Sequence, residues 1–185
     1  MDKKVTFRFS SFKAIIIGLV ASGIMLLFMQ LIVSSGSFAY MNSTPVEVFL
    51  TDLNIPAQPL AMVLHLGYGT FWALLLVSIF KKRTNIKQAL TMSAILWLSL
   101  MLLLAPAVGW GFFGVQGNSV IDPSAMNYIA PGNTFAVITF FAHLIYGLII
   151  GYLLPRVAVY DFEVRKDRNK YHSLRQKRWA EQSHS

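Results

Sequence analysis

Four long apolar runs organise this chain: Ala14 to Ser34, Pro59 to Phe80, Ala89 to Gly109 and Thr134 to Leu154, none containing Asp, Glu, Lys or Arg. A bilayer core of about 30 Å is crossed by roughly 20 apolar residues of helix. Each run has that length, so the pattern predicts four transmembrane helices. Two shorter signals lie between them. Thr44-Pro45-Val46-Glu47 has the form of a capping box with proline at the first helical position. Val46, Phe49, Leu50 and Leu53 follow at helical spacing, which predicts a short amphipathic helix on the membrane surface. In the second half, Asp122-Pro123 supplies a similar start, with Ala125, Met126 and Ile129 as a shorter apolar face. Phe38, Tyr40, Trp110, Phe112, Phe113 and Tyr128 fall near the same interface, where aromatic rings are favoured.

Composition agrees with this reading. The 185 residues are 55% hydrophobic, and the mean hydropathy is +0.55, more apolar than a wetted domain of that size allows. The net charge of +8 matters through its placement. Every Lys and Arg lies in Lys3 to Lys13, Lys81 to Lys87 or Arg156 to Arg178, whereas the loops Ser35 to Gln58 and Trp110 to Asn133 carry only Glu47, Asp52 and Asp122. Positive loops stay on the cytoplasmic side. Both termini and the middle loop are therefore expected inside, in a multi-pass inner-membrane protein with no nucleic-acid partner. A signal peptide is the rival for the first run, but a run of about 20 residues exceeds the 7 to 15 of a signal-peptide core. There is no cysteine, which removes disulfides, thiol chemistry and iron-sulfur ligation.

A shift of 78 residues, the spacing from His65 to His143, superposes Gly36 on Gly114, Thr44-Pro45 on Asp122-Pro123, His65-Leu66 on His143-Leu144 and Tyr68-Gly69 on Tyr146-Gly147. Leucines match by chance in such chains, but histidine is rare within membranes. The expected architecture is an all-α bundle of two parallel two-helix repeats, 14–80 and 89–154, joined by a cytoplasmic loop at 81–88 and related by a pseudo-twofold axis along the membrane normal. A cytoplasmic N-terminus (1–13) and a basic tail (155–185) complete it. Helices in lipid associate through small residues one turn apart. The candidates are Gly18 and Ser22, Gly69 and Ala73, Ala105 and Gly109, and Gly147 and Gly151.

Apart from tyrosines, His65 and His143 are the only ionisable groups within the runs. If the second and fourth helices meet at the pseudo-axis, the imidazoles face each other, with Tyr68, Tyr146, Gly69 and Gly147 beside them. Gln30 and the carbonyl of Leu102, freed by Pro106, are expected at the same level. One reading is structural: His, Tyr and Gln satisfy one another. A second is a haem b held by two axial histidines. A third is copper on His65, His143 and Met62, with Met25 or Met29 as further thioethers. A fourth is a quinone or lipid pocket with His and Tyr as hydrogen-bonding groups. No carboxylate or cation lies within a span, which argues against an ion-coupled pump. No Gly-x-Ser-x-Gly elbow or cysteine nucleophile supports hydrolysis.

From Arg156 the tail holds eight basic and four acidic residues. It reads as a topology anchor on anionic lipid or a docking segment, and Tyr160 to Trp179 is expected to continue as an interfacial helix. His172 and His184 lack metal-like spacing. The His143-x-x-Tyr146-Gly147 motif, with Pro106-Ala107-Val108-Gly109-Trp110-Gly111-Phe112-Phe113-Gly114 before it, resembles small multi-spanning inner-membrane proteins of bacteria and archaea that have no assigned activity. That resemblance implies an integral membrane protein and carries no functional residue with it. The expected function is a non-enzymatic membrane subunit or scaffold, contacting other subunits or a second copy. A haem- or metal-binding electron-transfer subunit and a quinone- or lipid-binding pocket are the alternatives.

Overall fold

The computed structural model describes residues 10–34, 43–57, 59–115, 128–129 and 133–183. The described residues are helical, with no strand. Four helices are long and apolar enough to cross a membrane: Ser11–Ile32, Leu60–Phe80, Ile86–Ala107 and Thr134–Arg156. Such helices form because a backbone in lipid must bond to itself. We call α1 Ser11–Ser34, α2 Pro45–Asp52, α3 Leu60–Phe80, α4 Ile86–Ala107 and α5 Thr134–Gln182.

Local chemistry sets most of the helix ends. The expected capping box of α2 is present: Thr44 Oγ1 accepts from the Glu47 N–H at 3.2 Å, and Glu47 accepts from the Thr44 N–H at 2.6 Å. Asn85 and Gln88 make a second box at the start of α4, each side chain accepting from the other's N–H at 3.1 Å. This box starts α4 three residues earlier than the apolar run alone suggests. At the far end, Gly109 takes φ +80°. Its N–H donates to the Pro106 carbonyl, and the Trp110 N–H donates to Ala105, the paired bonds of a Schellman cap. The Pro106–Gly114 stretch is thus a helix terminator. Trp110 is fully buried, edge-on to Phe135 at 5.1 Å.

Just before Pro106, α4 widens into a π-helix at Leu100–Leu104, with the Ala105 N–H donating to Leu100. Proline cannot donate, and a widened turn is one way for a helix to absorb its ring. The last helix does not stop at Leu154. It runs 49 residues, Thr134–Gln182, through Pro155, about 73 Å at 1.5 Å per residue. The tail therefore continues the last span as one helix, and its side chains from 169 to 183 are exposed. Where the span ends, Arg156 lies over the Tyr152 ring at 3.3 Å and donates to the Tyr152 carbonyl at 2.6 Å.

Around the bundle the order is α3, α1, α5, α4. The helix α1 packs along both α3 and α5, and α5 packs along α4, whereas α3 and α4 touch at few residues. Small residues mark these seams. A Cβ added at Gly18 would stand 2.7 Å from Thr70 Cα and 3.1 Å from Ala73 Cβ; one at Gly69, 2.6 Å from Ser22 Cβ. On the other side, a Cβ at Gly147 would stand 2.5 Å from Ser93 Oγ, and one at Gly151 2.9 Å from Ala89 Cβ. The contact face of α4 is therefore Ala89 and Ser93. Of the expected Ala105 and Gly109 pair, Ala105 is fully buried, but Gly109 forms no seam, since a Cβ on it would meet nothing within 4 Å. The α2 start is described, but Gly36, Phe38, Tyr40, Asp122, Pro123, Ala125, Met126 and His184 lie outside the described residues, as does the chain before residue 10.

Candidate functional site

Because α3 and α4 stay apart, a cavity of about 980 Å³ remains between them. That volume is at the upper end of the range for small-molecule sites. Its floor is α1 and α5, and Val46 of α2 closes one end. The α3 wall includes Val63, Leu64, Gly67, Tyr68 and Phe71; the α4 wall comes from Leu96, Ser99 and the π-turn residues Leu100, Leu103 and Leu104. Several of these side chains are exposed, including Val63, Tyr68, Phe71 and Leu103. The cleft is therefore open sideways, where lipid would lie.

Both histidines line this cleft, His65 from α3 and His143 from α5. They share a site even though α3 and α5 do not pack backbone to backbone. The second and fourth spans do not form a close seam; α1 and α5 are the close central pair, and Tyr146 bridges the remaining gap. Its hydroxyl donates to the Gly69 carbonyl at 2.5 Å, a bond from α5 to α3. Trp97 ties α4 to α5 in a similar way, its indole N–H donating to the Ala136 carbonyl at 3.1 Å.

The two imidazoles are held differently. His143 is buried, and its Nδ1 lies 2.8 Å from the Thr139 carbonyl. A carbonyl only accepts, so Nδ1 carries the proton and Nε2 of the neutral ring is an acceptor. The His65 ring is half-buried and makes no hydrogen bond among the described residues. Tyr68 is half exposed, its ring edge-on to Trp72 at 5.9 Å, whereas Tyr146 is buried and tied to Gly69. Thr139 and Ser22 also reach the wall, but their hydroxyls are engaged within their own helices, donating to Phe135 and Gly18 at 2.7 Å.

Of the residues expected at a site, His65, His143, Tyr68, Tyr146 and Gly69 line one cavity. Gly147 does not; it packs against Ser93 and Leu90 of α4. Met62 is half exposed and absent from the wall; the thioethers that reach it are Met25 and Met29 of α1, both buried. Gln30 is exposed and also lies outside the wall. Sequence reasoning missed the α4 wall. Pro106 was the visible signal for it, since it predicts a local break in the helix but not which side widens.

No known protein family, curated protein or solved structure matches the chain. No Lys, Arg, Asp or Glu lines the cleft, and among the described residues no group of three or more His, Cys, Asp or Glu is close enough to hold a metal. The wall is hydrocarbon and aromatic rings, with an imidazole acceptor, an unpartnered imidazole and a phenol as its free polar groups.

Proposed function

We propose that this chain is a small non-enzymatic membrane subunit that holds a neutral amphiphile, quinone-like or lipid-like, in the cleft between α3 and α4. The carrying observation is the cleft itself: about 980 Å³, apolar, open toward lipid, with His65, Tyr68 and His143 as the groups able to orient a polar head. Apolar walls with a few placed polar groups are the usual make-up of small-molecule sites. Two features of the wider molecule belong to this reading. Among the described residues, Lys13, Lys81, Arg83, Lys87 and Arg156 stand at the span ends remote from α2, and the rule that positive loops stay inside then supports cytoplasmic termini and a cleft in the outer half of the membrane. A duplication accounts for paired contacts: Gly69 on Ser22 matches Gly147 on Ser93, and Gly18 on Ala73 matches Ala89 on Gly151. The returning helices then match at a shift of 78 residues and the outgoing ones at 71, two helical turns out of step.

The test uses Gly67, which lines the cleft and where an added Cβ meets nothing within 4 Å. Gly67→Phe fills the cleft without crowding the fold. Mass spectrometry of protein extracted in mild detergent is expected to find a neutral amphiphile with the parent chain and to find it depleted in the variant. Equal retention by both would refute the proposal.

A second reading is favoured by one bond. Metal-bound histidines commonly donate their other N–H to a carbonyl, as His143 does to Thr139. A haem b between His65 and His143, or copper on these imidazoles with Met25 or Met29, would use the free nitrogen. Haem fits the wall less well, since its two carboxylates would find no Lys or Arg there. A dithionite-reduced minus oxidised spectrum without haem bands, together with a metal-free preparation from iron- and copper-replete cells, would remove this reading.

A further inference from the structure

The Thr139–His143 bond limits what the cleft can hold. With Nδ1–H committed to the Thr139 carbonyl at 2.8 Å, the neutral imidazole presents Nε2 as a lone pair. His143 is only 8% exposed and lines the apolar cleft, so an occupant that cannot donate covers that acceptor without pairing it and is disfavoured. Ser22, Ser99 and Thr139, the serine and threonine hydroxyls of the wall, already donate to carbonyls of their own helices. Tyr146, the buried phenol, donates to Gly69. None of these four is free to satisfy His143. Four rings, those of His65, Tyr68, Phe71 and Tyr146, are among the residues lining the cavity, and such rings can stack against a flat ring in the ligand. The remaining polar groups, the His65 imidazole and the Tyr68 hydroxyl, can each donate or accept, and so exclude neither a carbonyl nor a second hydroxyl on the ligand.

We infer that the cleft selects a ring-bearing amphiphile whose head donates a hydroxyl, a phenol or hydroquinone with a hydrocarbon tail, and that Nε2 of His143 is the acceptor. The inference rests on the cleft-binding proposal above. The head lies against α5, and the tail leaves through the gap between α3 and α4, past Val63 on one side and Leu103 on the other. Both flanking side chains are exposed, so the tail stays in contact with lipid and the ligand enters without crossing water.

Three probes separate the terms: a decyl-substituted hydroquinone, its O,O-dimethyl ether and the corresponding quinone. They share ring and tail and differ in the ability to donate. Binding is measured as saturable uptake by the full-length protein in lipid nanodiscs, corrected for empty discs. The hydroquinone is expected to bind at least about tenfold more tightly than the dimethyl ether or the quinone, the scale of one lost hydrogen bond to a buried acceptor. His143→Leu is expected to abolish that difference, and His143→Gln, whose amide oxygen can accept, to restore part of it. If all three probes bind saturably and equally, the donor requirement is wrong while the cleft remains a site. If none binds saturably, the cleft-binding proposal fails and this inference with it. Discrimination that persists in His143→Leu, when circular dichroism shows that variant folded, would assign the acceptor elsewhere and overturn the role given to His143.

Discussion

Replacing Tyr146 with Phe removes one hydroxyl and leaves the ring in place. That hydroxyl donates to the Gly69 carbonyl at 2.5 Å from a side chain only 2% exposed, and it is a direct polar link between α5 and α3. The acceptor lies within α3, so losing the tyrosine does not strand a buried carbonyl: the helical bond to that oxygen remains. The cost is thus the bond alone, without a desolvation penalty added to it. Hydrogen bonds between helices in lipid average about 0.6 kcal/mol and reach about 1.7. A fully buried bond belongs in the upper half of that range, so about 1 kcal/mol is expected, roughly a fivefold loss in the folded-to-unfolded ratio. Tyr68 is the control. It stands at the position matching Tyr146 by sequence, yet it is 49% exposed, and Tyr68→Phe is expected to fall within about 0.5 kcal/mol of zero. The assay is reversible unfolding in mixed micelles with increasing SDS, followed by tryptophan fluorescence. Equal effects of the two substitutions, or a neutral Tyr146→Phe, would refute the assignment of unequal roles to the two tyrosines.

Three further outcomes follow from the packing. Ser93 Oγ is buried without a hydrogen-bond partner, so Ser93→Ala is expected to be neutral or stabilising by up to about 1 kcal/mol, whereas Ser22→Ala, which removes a made bond, is not; the same SDS titration reads both. Gly114 has φ +70°, and a Cβ there would stand 2.6 Å from the Phe135 ring. Gly114→Ala is therefore expected to destabilise by about 1–3 kcal/mol, and retention of the parent midpoint would show that the turn beyond Trp110 is not packed as described. Removing residues 169–185 deletes a stretch whose described side chains are exposed, and is expected to leave the thermal midpoint of the bundle in detergent unchanged within about 2 °C, a change of about 0.5–1 kcal/mol at most for a chain of this size; a larger drop would mean that the tail packs on the spans.

The four apolar spans and the capping box of α2 were legible because they depend on local residues: apolar runs, Thr44 and Glu47. The neighbours of each helix were not. In lipid a span is apolar on nearly every face, so its sequence has little periodic signal to say which face turns inward. That is why Ala105 and Gly109 read as plausibly as Ala89 and Ser93 for the α4 seam, and Met62 as plausibly as Met25 for the cavity. The histidines were legible as a pair because imidazoles are rare in membranes. The basis for their sharing a site was not, since it lies in the gap between α3 and α4 rather than in a meeting of α3 with α5. Equal sequence also hid unequal surroundings. Gly69 lines the cavity and Gly147 does not, although each packs against a serine, Ser22 and Ser93, and a difference of that kind appears only once all four helices are in place.

The most direct measurement of the cleft as a binding site is photolabelling within the bilayer. A hydroquinone carrying a diazirine on its hydrocarbon tail, irradiated with the protein in lipid nanodiscs and mapped by peptide mass spectrometry, reports where the ligand rests. Label concentrated at Val63 to Phe71 of α3 and at Leu100 to Ala107 of α4, removed by excess unlabelled hydroquinone and by Gly67→Phe, is the expected result. Label spread evenly over outward-facing residues such as Ile16, Ile79 and Ile95, unaffected by competitor, would contradict the proposal that this cleft holds a ligand.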